Sequence, residues 1–151
     1  MAIRTIRIQG GERFEGLQKA SAALYPGMLC ELTSDSDDTV QKHSTAGASG
    51  ERAIVFEDDI QGKEVSEVYA DANTVQYDIY KRGERANVRI ADGEAIAKGD
   101  NLVSNGDGYF KEATDDSAGT TEDIMCVALA ACDMSDSSTV DPVNLCPVRF
   151  L

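Results

Sequence analysis

Residues 79–111, IYKRGERANVRIADGEAIAKGDNLVSNGDGYFK, leave no room for a helix. Turn signals at Arg82-Gly83, Asp92-Gly93, Lys98-Gly99-Asp100 and Asn105-Gly106-Asp107-Gly108 cut this stretch into short β-prone runs. The runs Ala86–Ala91, Glu94–Ala97, Asn101–Val103 and Tyr109–Lys111 are each too short to close several helical turns. Glycine and asparagine supply the positive-φ positions that tight hairpins demand, so the pattern predicts closely spaced strands in a compact β domain.

The flanks extend this reading. Met28–Leu32 follows the Pro26-Gly27 turn, Val40–His43 follows a polar loop, and Arg52–Glu57 carries the apolar run AIVF of a buried strand. In Thr74–Tyr80, Val75, Tyr77 and Ile79 alternate with Gln76, Asp78 and Tyr80, the period of a half-buried strand. Ile124–Cys132 is expected as a buried strand, with a helix as the alternative, and Val143–Leu151 as the closing strand. Pro147 lacks an amide donor and favours an edge or a bulge there. Residues 12–23 suit at most one or two amphipathic turns built on Phe14 and Leu17, limited by Gly16 and Pro26. Asp58–Ser66 and Glu112–Asp123 are expected as exposed loops.

A chain of 151 residues with 42% hydrophobic content is expected to form one main domain. We divide it into an extended N-terminal arm, residues 1–20, and a β domain, residues 21–151. No apolar run is long enough to span a bilayer, and MAIRTIRIQ lacks the apolar core of a secretory signal, so cytoplasmic synthesis is expected. The formal charge of −13 argues against nucleic acid and membrane surfaces as partners, because both are met with Lys and Arg. The charge is uneven: residues 1–28 hold Arg4, Arg7, Arg13 and Lys19 against only Glu12 and Glu15. A basic, β-prone segment, Ile3-Arg4-Thr5-Ile6-Arg7-Ile8, thus precedes an acidic body, and Ile3, Arg4, Ile6, Arg7 and Ile8 are candidates for docking on a neighbour. Lys81, Arg82, Arg85 and Arg89 form a second basic cluster, a candidate for charge contacts between subunits.

Catalytic and metal chemistry find little purchase. Cys30, Cys126, Cys132 and Cys146 show no C-x-x-C spacing, only His43 accompanies them, and buried free thiols are the expected state. Asp35-Ser36-Asp37-Asp38 lacks the glycine and terminal glutamate of a calcium loop, since Val40 and Ala46 occupy those places. Glu57-Asp58-Asp59 and Asp115-Asp116 read as surface charge, no nucleophile elbow accompanies His43, and no phosphate-loop pattern is present. No catalytic residue, cofactor or metal is expected, and the chain is not expected to be an enzyme.

Taken in order, Tyr25-Pro26-Gly27-Met28-Leu29, the segment FEDDIQG at 56–62, residues 75–89 with Arg82-Gly83-Glu84, and AIAKGDNL at 95–102 resemble small capsid decoration, or head cement, proteins of tailed bacteriophages. The resemblance spans roughly residues 20–135 and rests on turn patterns. It implies a β-tulip, barrel-like or jelly-roll-like domain of short antiparallel strands. It further implies a homotrimer on the outer capsid surface of the virion, bound to the major capsid protein and to neighbouring decoration copies, with no active site. The terminal arm of such proteins corresponds here to Ala2–Gln9. The competing expectation is a β-sandwich module binding a small ligand or carbohydrate, for which the absence of tryptophan is unfavourable.

Overall fold

The computed structural model describes residues 5–19, 23–33, 39–58, 64–70, 73–114, 122–135 and 144–151, with residues 15–19 described by their backbone. Thirteen strands and no helix occur among them. They are β1 (Arg7–Gln9), β2 (Glu12–Lys19), β3 (Cys30–Leu32), β4 (Thr39–Lys42), β5 (Ala53–Val55), β6 (Thr74–Ile79) and β7 (Arg85–Arg89). The remainder are β8 (Ala95–Ile96), β9 (Asn101–Ser104), β10 (Phe110–Glu112), β11 (Cys126–Ala128), β12 (Cys132–Asp133) and β13 (Leu145–Phe150). A six-stranded sheet runs β1-β7-β13-β11-β9-β10, a five-stranded sheet runs β3-β4-β2-β6-β5, and β8 pairs with β12.

Both large sheets curl back on themselves without forming one closed barrel. The free edge of β5 meets the residues before β3: Val55 N–H donates to Met28 O at 2.9 Å and Gly27 N–H to Val55 O at 2.8 Å. At the far side of the six-stranded sheet, Ile90 bridges Phe110 of β10, and Ala91 N–H donates to Phe110 O at 2.8 Å. Edge amides that would otherwise recruit other chains are paired in this way.

The continuous apolar runs follow from two cores sharing a wall. Ile54 and Phe56 face a core with Leu29, Ile90, Leu102, Phe110, Val148 and Phe150. Ala53 and Val55 face the second, with Met28, Cys30, Val40, Tyr69 and Val75. Because side chains alternate along a strand, segments 28–30 and 53–56 are buried on both faces and carry no polar stripe.

Several expectations are corrected. Residues 12–19 form a strand, not helical turns: β2 pairs antiparallel with β6, and the irregularity between Phe14 and Leu17 falls around Gly16. Long-range pairing on two sides overrides the local pattern, and the β2–β4 pairing is parallel, through Gln18↔Thr39 and Lys19↔Val40, where antiparallel neighbours were expected throughout. Pro147 lies in an interior strand, between β7 and β11. It is tolerated because its carbonyl, on the β11 side, accepts from Leu129 N–H at 2.8 Å just past the end of β11, so its missing donor falls where the ladder stops. Asp58 and Val65 are buried where an exposed loop was expected; residues 59–63, and the acidic turns at 35–38 and 115–116, lie outside the described residues.

Two turn glycines separate conformational from steric cost. Gly83 has φ +90° and open space around an added Cβ, whereas at Gly106, φ +87°, that carbon would sit 2.7 Å from Ala46 N. Gly83→Ala is expected to cost about 1–2 kcal/mol from backbone conformation alone. Gly106→Ala should cost clearly more, and equal losses in urea denaturation of the two variants would contradict this packing.

Candidate functional site

The most concentrated polar structure is a charged node between the N-terminal segment and β6. Asp78 is fully buried. Arg7 grips it bidentately, Nε donating to Oδ2 at 2.8 Å and Nη2 to Oδ1 at 2.7 Å. Arg13 Nε donates to Asp78 Oδ1 at 3.2 Å and its Nη1 to Gln76 Oε1 at 3.2 Å. The Tyr80 hydroxyl adds a bond to Asp78 Oδ2 at 3.3 Å. The Arg13 guanidinium also lies 3.7 Å from the Phe56 ring centroid. Thus the polar face of β6, expected to meet solvent, is covered: Gln76, Asp78 and Tyr80 are all buried. Hydrogen bonding to Asp78 raises the Arg7 pKa against the opposing effect of burial. Burial first, then the Asp78 charge, pushes the Tyr80 phenol up, so it keeps its proton and remains a donor. The node is a clamp that fastens the N-terminal strand to the body.

The expected arm residues are therefore distributed. Ile3 and Arg4 lie outside the described residues. Ile6 is fully buried in the core, its N–H donating to Glu57 Oε2 at 3.1 Å, and Arg7 belongs to the clamp. Ile8, 45% exposed on edge strand β1, is the described member of the set that faces outward.

The second basic cluster divides as well. Lys81, Arg82 and Arg85 are exposed. Arg89 is not a surface charge: it is buried beside Tyr25, its Nε donating to Pro26 O and its Nη2 to Val65 O, both at 2.7 Å. The loop at Pro26 and the turn around Val65 cover that end of β7, and backbone carbonyls neutralise the guanidinium donors. Arg149, which sequence reasoning missed, takes its place. It is exposed on β13 directly opposite Arg85. Only strand register, invisible in the sequence, brings the two together.

At the other end of the same sheet, Ala91, Asp92, Asn105, Asp107 and Tyr109 line a polar cleft of about 250 Å³. Asn144 Nδ2 donates to Asp92 Oδ1 at 3.0 Å; Asn105 Nδ2 and Tyr109 N–H donate to Asp107 at 3.1 Å each. These bonds orient both carboxylates.

His43 lies in a Ser–His–Glu sequence of contacts. Its Nδ1 is 2.7 Å from Ser104 Oγ, and its Nε2 is 3.7 Å from Glu31 Oε2. Ser104 is fully buried and its Oγ accepts from Gly106 N–H at 3.1 Å, so the contacts fasten the end of β4 to the end of β9. Burial opposes ionisation of Glu31, but hydrogen bonds from Ser44 and Gln41 outweigh it and hold the pKa below its ordinary value of 4.5.

All four cysteines are free. Cys132 and Cys146 both approach Ala130 O, at 3.9 and 3.7 Å. The hydrogen bond from Cys146 lowers the Cys132 thiol pKa, while burial pushes Cys30 and Cys126 up. Half-buried Cys132 should therefore be alkylated first by iodoacetamide in the native protein. Mass mapping that found Cys30 or Cys126 modified equally fast would contradict this.

These features define a mainly β body of two curled sheets clamped by a buried charged node. No protein-family model matches the chain, and comparison with curated proteins gives no match. Among solved structures it is similar to the N base of head fiber gp8.5 in bacteriophage phi29, with a TM-score of 0.57 and 14% sequence identity. The match covers 93% of this chain and 95% of that one, a likeness of fold over nearly the whole length.

Proposed function

We propose that this chain is a structural protein of a bacteriophage virion, carried on the outer surface of the head. There it binds the major capsid protein as a decoration trimer and stabilises contacts between neighbouring capsid subunits. The observation that carries this reading is the end-to-end fold likeness to a phage head-fiber base. The decoration-protein resemblance of residues 20–135 supports the finer assignment. The mechanism requires no bond-making: adhesive surface presented in several linked copies gains about 10²–10⁴ in avidity over one contact. The chain would be made in the host cytoplasm, with no cofactor and no enzymatic activity.

The test is co-sedimentation of purified protein with phage heads that lack it, followed by quantitation of bound copies. Saturable binding at a fixed ratio to the capsid protein is expected; absence of binding at micromolar concentration would overturn the reading. For the arm, deletion of residues 2–9 is a poor test because it empties the Ile6 site and strips the bidentate Arg7 from Asp78. Ile8→Asp leaves both intact and should reduce head occupancy if β1 meets a capsid neighbour; unchanged occupancy would remove Ile8 from the interface.

A further inference from the structure

Two of the four thiols, Cys132 and Cys146, are brought together by strand register and a bend. β11 and β13 pair through Cys126↔Phe150, Val127↔Arg149 and Ala128↔Val148. Leu129 N–H donates to Pro147 O at 2.8 Å, which carries that register one step further and sets Ala130 beside Cys146. The chain bends at 129–130 and enters β12, where Cys132 pairs with Ile96 of β8. Cys132 Sγ thereby comes back to 3.9 Å from Ala130 O, and Cys146 Sγ lies 3.7 Å from the same oxygen. The two thiols are hydrogen-bonded to each other, and Cys132 packs against the core that contains Cys146. The other cysteines stand apart. Cys30 belongs to the second core, and Cys126 lies opposite Phe150, four positions along β13 from Cys146. Four positions span about 13 Å at strand rise, whereas a disulfide needs Cα atoms within about 7 Å.

We propose that Cys132 and Cys146 are a redox-sensitive pair that closes to a disulfide with a small-molecule disulfide, such as oxidised glutathione, as oxidant. Cys132 is half-buried and Cys146 buried, so the first is the attacking group and the second the resolving one. The hydrogen bond from Cys146 also holds the Cys132 thiol pKa below its ordinary value, which favours the nucleophilic thiolate. The Cys132 thiolate attacks one glutathione sulfur, forming a mixed disulfide and expelling a glutathione thiolate. Cys146 then attacks Cys132 Sγ, and the second glutathione leaves with the Cys146 proton. Two protein thiols are oxidised and one glutathione disulfide is reduced to two glutathione thiols. The bridge would staple β12, and through it β8, to β13 inside the six-stranded sheet. On the reading given above, a head protein is made in a reducing cytosol and released into an oxidising medium, so the pair would be open during synthesis and closed afterwards. The chemistry needs only the purified chain, so its failure and the failure of head binding are separate results.

The experiment treats the reduced full chain with oxidised glutathione, counts thiols in denaturant and maps the bridge by mass spectrometry. Cleavage before Asp133 and Asp141 separates Cys132 from Cys146 unless they are bridged, and fragment spectra distinguish Cys132 from Cys126. Two of the four thiols are expected to disappear, with Cys132 joined to Cys146. The oxidised chain should melt about 5–10 °C above the reduced one, a difference abolished by dithiothreitol. Cys146→Ser, shown to be folded by circular dichroism, should retain glutathione on Cys132, whereas wild type should release it. Four thiols persisting in native wild type would overturn the proposal. So would a bridge that includes Cys30 or Cys126, glutathione retained on wild-type Cys132, or a closed bridge that leaves the melting midpoint unchanged.

Discussion

Asp78→Ala is expected to lower the unfolding free energy by about 3–5 kcal/mol, the cost of stripping the partner from buried charge. Asp78 is wholly enclosed, and its removal takes an acceptor from the Tyr80 hydroxyl and the anionic partner from the Arg13 guanidinium, which lies against the Phe56 ring and keeps its bond to Gln76. Arg7, whose side chain is 36% exposed, can turn to water, so Arg7→Ala should cost considerably less. Urea denaturation of the two variants and their double mutant gives the coupling. An Asp78→Ala loss below about 1 kcal/mol would place the effect in the range of a surface ion pair and refute the clamp. Because Arg7 joins β1 to β6, amides of residues 7–9 should exchange faster with deuterium in the Asp78 variant than those of β9.

Phe150→Ala is the second large effect, expected at about 3–5 kcal/mol from lost burial and the cavity left behind. Phe150 is fully buried at the end of β13, stacked on Tyr80 with ring centroids 4.9 Å apart and planes inclined by 19°. Tyr80 in turn bonds Asp78, so the stack connects the six-stranded sheet to the charged node. Phe14 makes a similar stack on Tyr77, centroids 5.8 Å apart, but is 40% exposed. Its replacement by alanine should cost only about 0.5–1.5 kcal/mol. Thermal and denaturant unfolding of both variants checks the difference, and similar losses would mean that the six-stranded core is not centred on Phe150.

The turns and short strands of the centre were legible because their information is local, whereas their pairing was not: β9 and β10 form a hairpin, but β7 pairs with β1 and β13 and β8 with β12. Arg82-Gly83, Asp92-Gly93 and Gly99 each fix a turn through φ near +90°, and the strands between them follow. The buried strand at 53–55 was legible for the same reason, its apolar run being continuous. Residues 12–19 were misread because their strand state depends on β6, more than fifty residues away, while Phe14 and Leu17 have a spacing that also suits a helix. On β6 the period of two was recognised, but the face holding Asp78 is buried by arginines from the amino end. An excess of Arg at positions 7 and 13 was the available signal, and it was read as a surface property. Arg89 was taken for surface charge for want of knowledge that the segments around Pro26 and Val65 fold over β7. Arg149 escaped notice because cross-strand register sets its neighbour, Arg85, more than sixty positions back in the chain.

The central claim, an adhesive structural role on the phage head, is tested most directly by cryo-electron microscopy of heads prepared with and without this chain. Difference density on the outer surface, at symmetry-related positions and fitted by the two-sheet body, is the predicted result. Identical maps from the two preparations, with the protein recovered free in solution, would contradict it.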